Sequence, residues 1–149
     1  MTRSAVIDRD LGYRKVVGRL LGAGNLGVTV GVHQDEGQDL ATRAAVNEFG
    51  SDDGHVPERS FLRSTLDSND RSYTELMADG IDRMLDGESP SAAFAPLTRT
   101  VVDDVKRTID SGVDPANAPG TIARKGHGHT LIDSGDMRDA ITARIEVKR

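Results

Sequence analysis

Apolar side chains recur along this chain with two different periods, and the changes of period mark its elements. Between residues 9 and 21, Tyr13, Val16, Val17, Leu20 and Leu21 fall at helical spacing among Arg and Lys, which predicts an amphipathic helix. Gly22 and Gly24 are its expected stop. The period then shortens. Val28, Val30 and Val32 alternate with Gly27, Thr29 and Gly31, the pattern of a strand at about 26–33 with one apolar face and one nearly bare. The bare face either admits a closely packed backbone or belongs to a weak strand, and the pattern leaves both open.

A polar loop leads to a short helix over 39–49, with Asp39 as candidate N-cap and Gly50 as its end. Pro57 stands where a further helix can start. Phe61, Leu62, Thr65 and Leu66 continue at helical spacing, but Asp67-Ser68-Asn69-Asp70 interrupts it, so 58–86 reads as either one helix or two. From 71 to 86 the stripe Tyr73, Leu76, Met77, Ile81, Met84 and Leu85 is clear, and Gly87 ends it. Ser89 and Pro90 open the next helix, whose stripe is Phe94, Leu97, Val101, Val102, Val105 and Ile109. Pro96 allows that helix to start later than Ser89 suggests.

Residues 113–130 show no periodicity and read as one long loop, beyond the usual length for a compact domain and therefore a candidate functional segment. A short helical turn follows over 136–140, with Asp133 or Ser134 as cap. Ile141, Ala143, Ile145 and Val147 then alternate with polar residues, a half-buried strand at about 140–148. The expected fold is α+β: one domain over 1–149, with a small antiparallel sheet packed against two or more long helices, and long loops. Two strands are few for a free-standing sheet, so either further strands exist or neighbouring subunits extend it.

Composition narrows the function classes. Aromatics are only 3%, so the core rests on aliphatic side chains, and association with other subunits is a natural supplement to a modest core. A net charge of -5 argues against a general nucleic-acid binder. There is no cysteine, which excludes disulfides and thiolate metal sites. No apolar run approaches the roughly 20 residues that span a bilayer, and the charged N-terminus lacks a signal-peptide core. The expected product is soluble and intracellular.

Candidate chemistry is sparse. His127 and His129 lie two apart in a glycine-rich loop without the further ligands a metal site needs. Glu48 and Glu58 flank one loop, but nothing supplies a pocket for acid–base work, and a glutamate beside Arg59 fits a structural ion pair. The glycine-rich stretch near Gly22 to Gly27 follows a helix and precedes a strand, the reverse of a phosphate-binding order. Ser134 is not in a nucleophile elbow. The expectation is no enzyme, no cofactor and no metal.

The densest polar stretch runs from Ala44 to Arg63, AAVNEFGSDDGHVPERSFLR. Together with VTVGV before it, and NAPGTIARKG and LIDSGDMRDAI after it, this ordered set over about 26–145 resembles a family of tailed-bacteriophage neck, tail-completion or head–tail joining proteins. Ser60 and Thr130 stand where that family favours proline, and Ser134 where it has threonine. The resemblance implies a virion structural protein, assembled in the host cytoplasm. It would form a homo-oligomeric, six-fold ring against the connector and the tail-tube or terminator proteins, with DNA only passing through and no membrane contact. A tail terminator or head-closure protein is the alternative within that family, and a small intracellular protein-binding regulatory module is the alternative of another class. By the same resemblance Asn47, Glu48, Phe49, Arg59, Phe61, Leu62 and Arg63 form a structural and interface cluster. The other reading makes Phe49, Phe61 and Leu62 core and leaves the arginines exposed. The stretch is then a rigid corner between two phenylalanine anchors that presents Asp52, Asp53, Arg59 and Arg63 to a neighbour. Arg124 and Lys125 add a basic spot in the long loop.

Overall fold

The computed structural model describes residues 12–147. In chain order these form α1 (Tyr13–Ala23), β1 (Leu26–Val32), a 3-10 turn (Gln34–Glu36), α2 (Gln38–Phe49), α3 (Leu62–Asp86), α4 (Pro90–Ala93), α5 (Ala95–Ser111), α6 (Pro119–Lys125), α7 (Asp136–Asp139) and β2 (Ile141–Val147). The fold is α+β, as the two periods predict.

The strands pair antiparallel, from Leu26 opposite Val147 to Val32 opposite Ile141. Because side chains alternate across a strand, this register gathers Val28, Val30 and Val32 with Ile141, Ala143 and Ile145 on one face. Helix α5 covers that face. Its Leu97, Val101, Val105 and Ile109, four residues apart in a single row, are all buried. Packing against a helix is what lets a two-stranded sheet persist, and no third strand occurs among the described residues. The other face is polar: His33 Nδ1 lies 2.9 Å from Thr142 Oγ1, and Arg144 donates to Asp35 at 2.7 Å.

Two apolar clusters fill the interior. One joins Ala44, Phe61, Val105, Ile109, Met137 and Ile141, linking α2, α5, α7 and β2. The other joins Met84, Ala93, Phe94 and Leu97 with Leu26, Val28 and Ile145 of the sheet and Tyr73, Leu76, Met77 and Ile81 of α3. Helix α3 meets this second cluster at Gly80, where the Phe94 ring lies so close that an added Cβ would stand 2.4 Å from its Cδ1. Tyr73 donates to Asp104 Oδ2 at 2.8 Å across the α3–α5 seam, and burial is the main cause pushing its phenol pKa above the ordinary value.

Several predicted boundaries shift, each for a local reason. Helix α1 runs through Gly22 and ends at Gly24, while residues 9–11 of the predicted helix lie outside those described. Gly37, not Asp39, is the N-cap of α2. Pro57 does not open a helix. Helix α3 starts at Leu62 and runs unbroken for 25 residues, because Asp67, Ser68 and Asp70 lie on its exposed side and interrupt nothing that is buried. Asn69 instead donates back to Thr65 O at 2.8 Å. Ser89 does cap α4, accepting from Ala92 N, but the helix breaks at Phe94 and α5 restarts with Pro96 in its first turn. The segment 113–130 is not all loop, since α6 forms within it from Pro119. Gly135, rather than Asp133 or Ser134, stands at the N-cap of α7. Residue 148 of the predicted last strand is outside the described range.

Candidate binding cleft

The stretch 44–63 folds into a corner that joins α2 to α3. Glu48 is its centre and is buried. Its carboxylate accepts from Ser60 Oγ at 2.8 Å, Leu62 N at 2.8 Å and Arg63 N at 3.0 Å. Helix α3 has no side-chain cap of its own, so a carboxylate from the preceding helix satisfies the amides that every helix start leaves open. Phe61 is fully buried beneath it and Leu62 half-buried.

The loop between is closed by its own groups. Ser51 N donates to Val56 O at 2.9 Å and Val56 N to Ser51 Oγ at 2.8 Å. Asp53 accepts from Ser51 Oγ at 2.6 Å and from His55 N at 3.0 Å, bonds that hold its carboxyl below the usual range. Gly50 has φ 80°, and a Cβ there would sit 3.1 Å from Glu58 N, so the turn needs glycine. Asp52 and Asp53 are exposed on this loop.

Three expectations about the corner are corrected. Phe49 is no anchor: it is 69% exposed, because it lies one residue beyond Glu48 on the α2 surface and only Glu48 turns inward. Arg59 is not presented outward but is buried at 6% exposure. The glutamate next to it, Glu58, pairs with Arg63 instead.

Arg59 fixes one side of a cleft. Its backbone N donates to Asn47 O at 2.7 Å. Its Nε donates to Pro115 O at 2.7 Å, and Nη2 makes longer bonds to Ala116 O at 3.3 Å and Asn117 Oδ1 at 3.4 Å. All these acceptors are neutral, and burial pushes the guanidinium pKa below its ordinary value. Asn117 in turn donates to His129 O at 2.9 Å, and Lys125 Nζ to the same carbonyl at 3.0 Å. His129 Nε2 lies 2.9 Å from Asp110 O and Nδ1 3.0 Å from Thr130 O. The segment 113–130 is thereby stitched to both the corner and α5.

The resulting cleft has a volume of about 590 Å³, walled by α2, the corner, residues 115–118, α6, and the turn into α7 with its first two residues. Arg43, Arg59, Arg124 and Lys125 line it with Asp133 and Asp136, among apolar Val46, Val56, Leu131 and Met137. Of the residues singled out in the sequence, it brings together Asn47, Arg59, Arg124 and Lys125. Glu48, Phe61 and Leu62 support it from behind, while Phe49, Asp52, Asp53 and Arg63 do not line it. Sequence reasoning missed Arg43, Val46 and Asn117. Arg43, Val46 and Asn47 stand at i, i+3 and i+4 on α2, a shared-face spacing that was available as a signal.

No family model matches the chain, and no solved structure matches it. Over 126 residues it is 26% identical to Synaptic defective enhancer 1 of Caenorhabditis elegans. That match takes in 76% of this chain and 22% of the nematode protein, so the chain spans about a fifth of its relative's length. The expectation of a ring-forming phage neck, tail-completion, terminator or head-closure subunit is corrected on this finding, because the protein matched is eukaryotic. Among the described residues no helix is long and apolar enough to cross a membrane.

Proposed function

We propose that the protein is a non-catalytic protein-binding module that docks a segment of a partner in the cleft between α2 and α6. The observation that carries this reading is the cleft itself. Its mixture of apolar side chains and a few placed charges is that of a recognition site, and the buried contacts of Glu48 and Arg59 hold its walls in place before any ligand arrives. Such pre-organisation lowers the ordering cost of binding. A randomised peptide library panned on the protein tests the reading. Recovered peptides are expected to bind the wild type and to fail on Ala116→Trp, which fills the cleft from an exposed loop position. Peptides that bind both proteins equally, or no enrichment at all, would overturn it.

Self-association is a second reading, favoured by α1, where Tyr13, Val16, Leu20 and Leu21 are 75%, 42%, 47% and 71% exposed. An apolar stripe of this kind on an exposed helix suits a helix–helix contact. Sedimentation velocity over a concentration series is expected to show association that Leu20→Asp with Leu21→Asp removes. A concentration-independent monomer rejects it.

A further inference from the structure

We infer that the occupant of the cleft is an extended acidic peptide segment, whose carboxylates meet Arg43 and Arg124 while its apolar side chains meet Val46, Val56 and Met137. This rests on the docking reading above and adds the chemistry of the partner. Four cationic side chains and two carboxylates line the cleft, on a chain with 19 basic and 24 acidic residues. Positive charge is therefore concentrated here against the balance of the whole molecule.

The state of those cations points the same way. Arg63, Arg71, Arg83, Arg107, Arg138 and Arg144 each hold a carboxylate. Arg43 and Arg124, on opposite walls, make no ion pair with any described residue. Arg59 is buried with neutral acceptors alone. A buried guanidinium without a counter-charge is costly, and an anion entering the cleft supplies one. Arginine also pairs with carboxylates through two parallel bonds, which adds direction to attraction.

A nucleic acid is the competing anion, and the lining disfavours it. Asp133 and Asp136 sit in the same cleft and repel a continuous phosphate backbone. No Phe, Tyr or Trp lines it, and the exposed His55 imidazole is the single aromatic ring in its lining, so successive bases have no row of surfaces to stack on. A peptide can place its acids opposite the arginines and basic or apolar residues opposite the aspartates.

The experiment uses a fluorescein-labelled decapeptide in which Glu alternates with Val and Pro, its Gln-for-Glu counterpart and a labelled oligothymidylate. Each is titrated by anisotropy into the full chain at low and at physiological ionic strength. The Glu peptide is expected to bind, with affinity falling as salt rises. The Gln counterpart, and the Arg43→Gln/Arg124→Gln double variant, are expected to lower affinity about tenfold or more. Both arginines are exposed, so the double variant should keep its urea midpoint, and Arg71→Gln/Arg107→Gln, remote from the cleft, should bind as the wild type does. Equal binding of the Glu and Gln peptides overturns the acidic preference but leaves peptide docking standing. Tighter binding of the oligothymidylate transfers the cleft to nucleic acid. Failure of both peptides on the wild type removes the docking reading as well.

Discussion

At the scale of single residues, Glu48 joins two helices through one carboxylate. Because Leu62 N and Arg63 N have no alternative cap, Glu48→Ala should cost about 2–4 kcal/mol, the scale of several hydrogen bonds to a charged group lost together. Glu48→Gln keeps an acceptor but loses the charge that favours a helix start, and about half that loss is expected. Urea unfolding of the two variants checks the order, and an unchanged midpoint for Glu48→Ala would refute the capping role. Gly80 offers a second test. Alanine normally favours a helix by about 1 kcal/mol over glycine, but here its methyl would press on the Phe94 ring at 2.4 Å. Overpacking of about 1–3 kcal/mol should outweigh the propensity gain, so Gly80→Ala should lower the melting temperature, and Phe94→Leu in the same chain should restore part of it.

Elements in this molecule are held by a few long polar side chains where apolar area is small. Arg59 ties the segment after α5 to the corner, and Arg59→Met removes its bonds to Pro115 O and Ala116 O. Those carbonyls belong to exposed residues and can turn to water, so the expected effect is local. Amides of 113–118 should exchange with deuterium at least about tenfold faster, about 1.4 kcal/mol of local opening, while those of α5 keep their protection. Uniform loss of protection along the chain would instead make Arg59 a global stabiliser. The α5–α7 contact carries a pH dependence. Arg138 donates to both carboxylate oxygens of Asp110 at 2.6 Å and holds that carboxyl below its ordinary pKa. A carboxyl depressed in the folded state contributes stability that is present above its unfolded value, about 3.9, and is lost as pH falls through the folded value. Both side chains are substantially exposed, so solvent screening keeps the contribution small. The wild type should therefore lose more stability than Asp110→Asn between mildly acidic pH and the region below that value; parallel losses would show that the pair contributes nothing.

For the whole molecule, the sheet is the shared support of both clusters. β2 supplies Ile141 to one and Ile145 to the other, so deleting 141–149 removes half of the sheet and should abolish folding itself, not only any association. A truncated chain that retains native helical circular dichroism and cooperative melting would show that α3 and α5 suffice alone. No residue of the sheet lines the cleft, which is bounded by α2, α6, the start of α7 and the loops between them. Binding there and self-association through α1 use different elements, so each can be tested without disturbing the other.

The sequence by itself determined the elements that bury a periodic stripe. Leu97, Val101, Val105 and Ile109 on α5, and the alternating valines of β1, each lie on a single face of one element, and that periodicity suffices to read them. It also determined the α+β class and an antiparallel sheet, while the direct pairing of the two strands, with no third strand among the described residues, came from the tertiary structure. Tertiary structure decided what depends on contacts far apart in sequence. That Glu48 turns inward while Phe49 stays in solvent follows from where the start of α3 lies, and no local pattern encodes it. Arg59 is buried because three acceptors more than fifty residues away converge on it. Helix α6 gives no stripe because none of its residues is buried; it exists as one wall of a cleft, and a wall is defined only by what stands opposite.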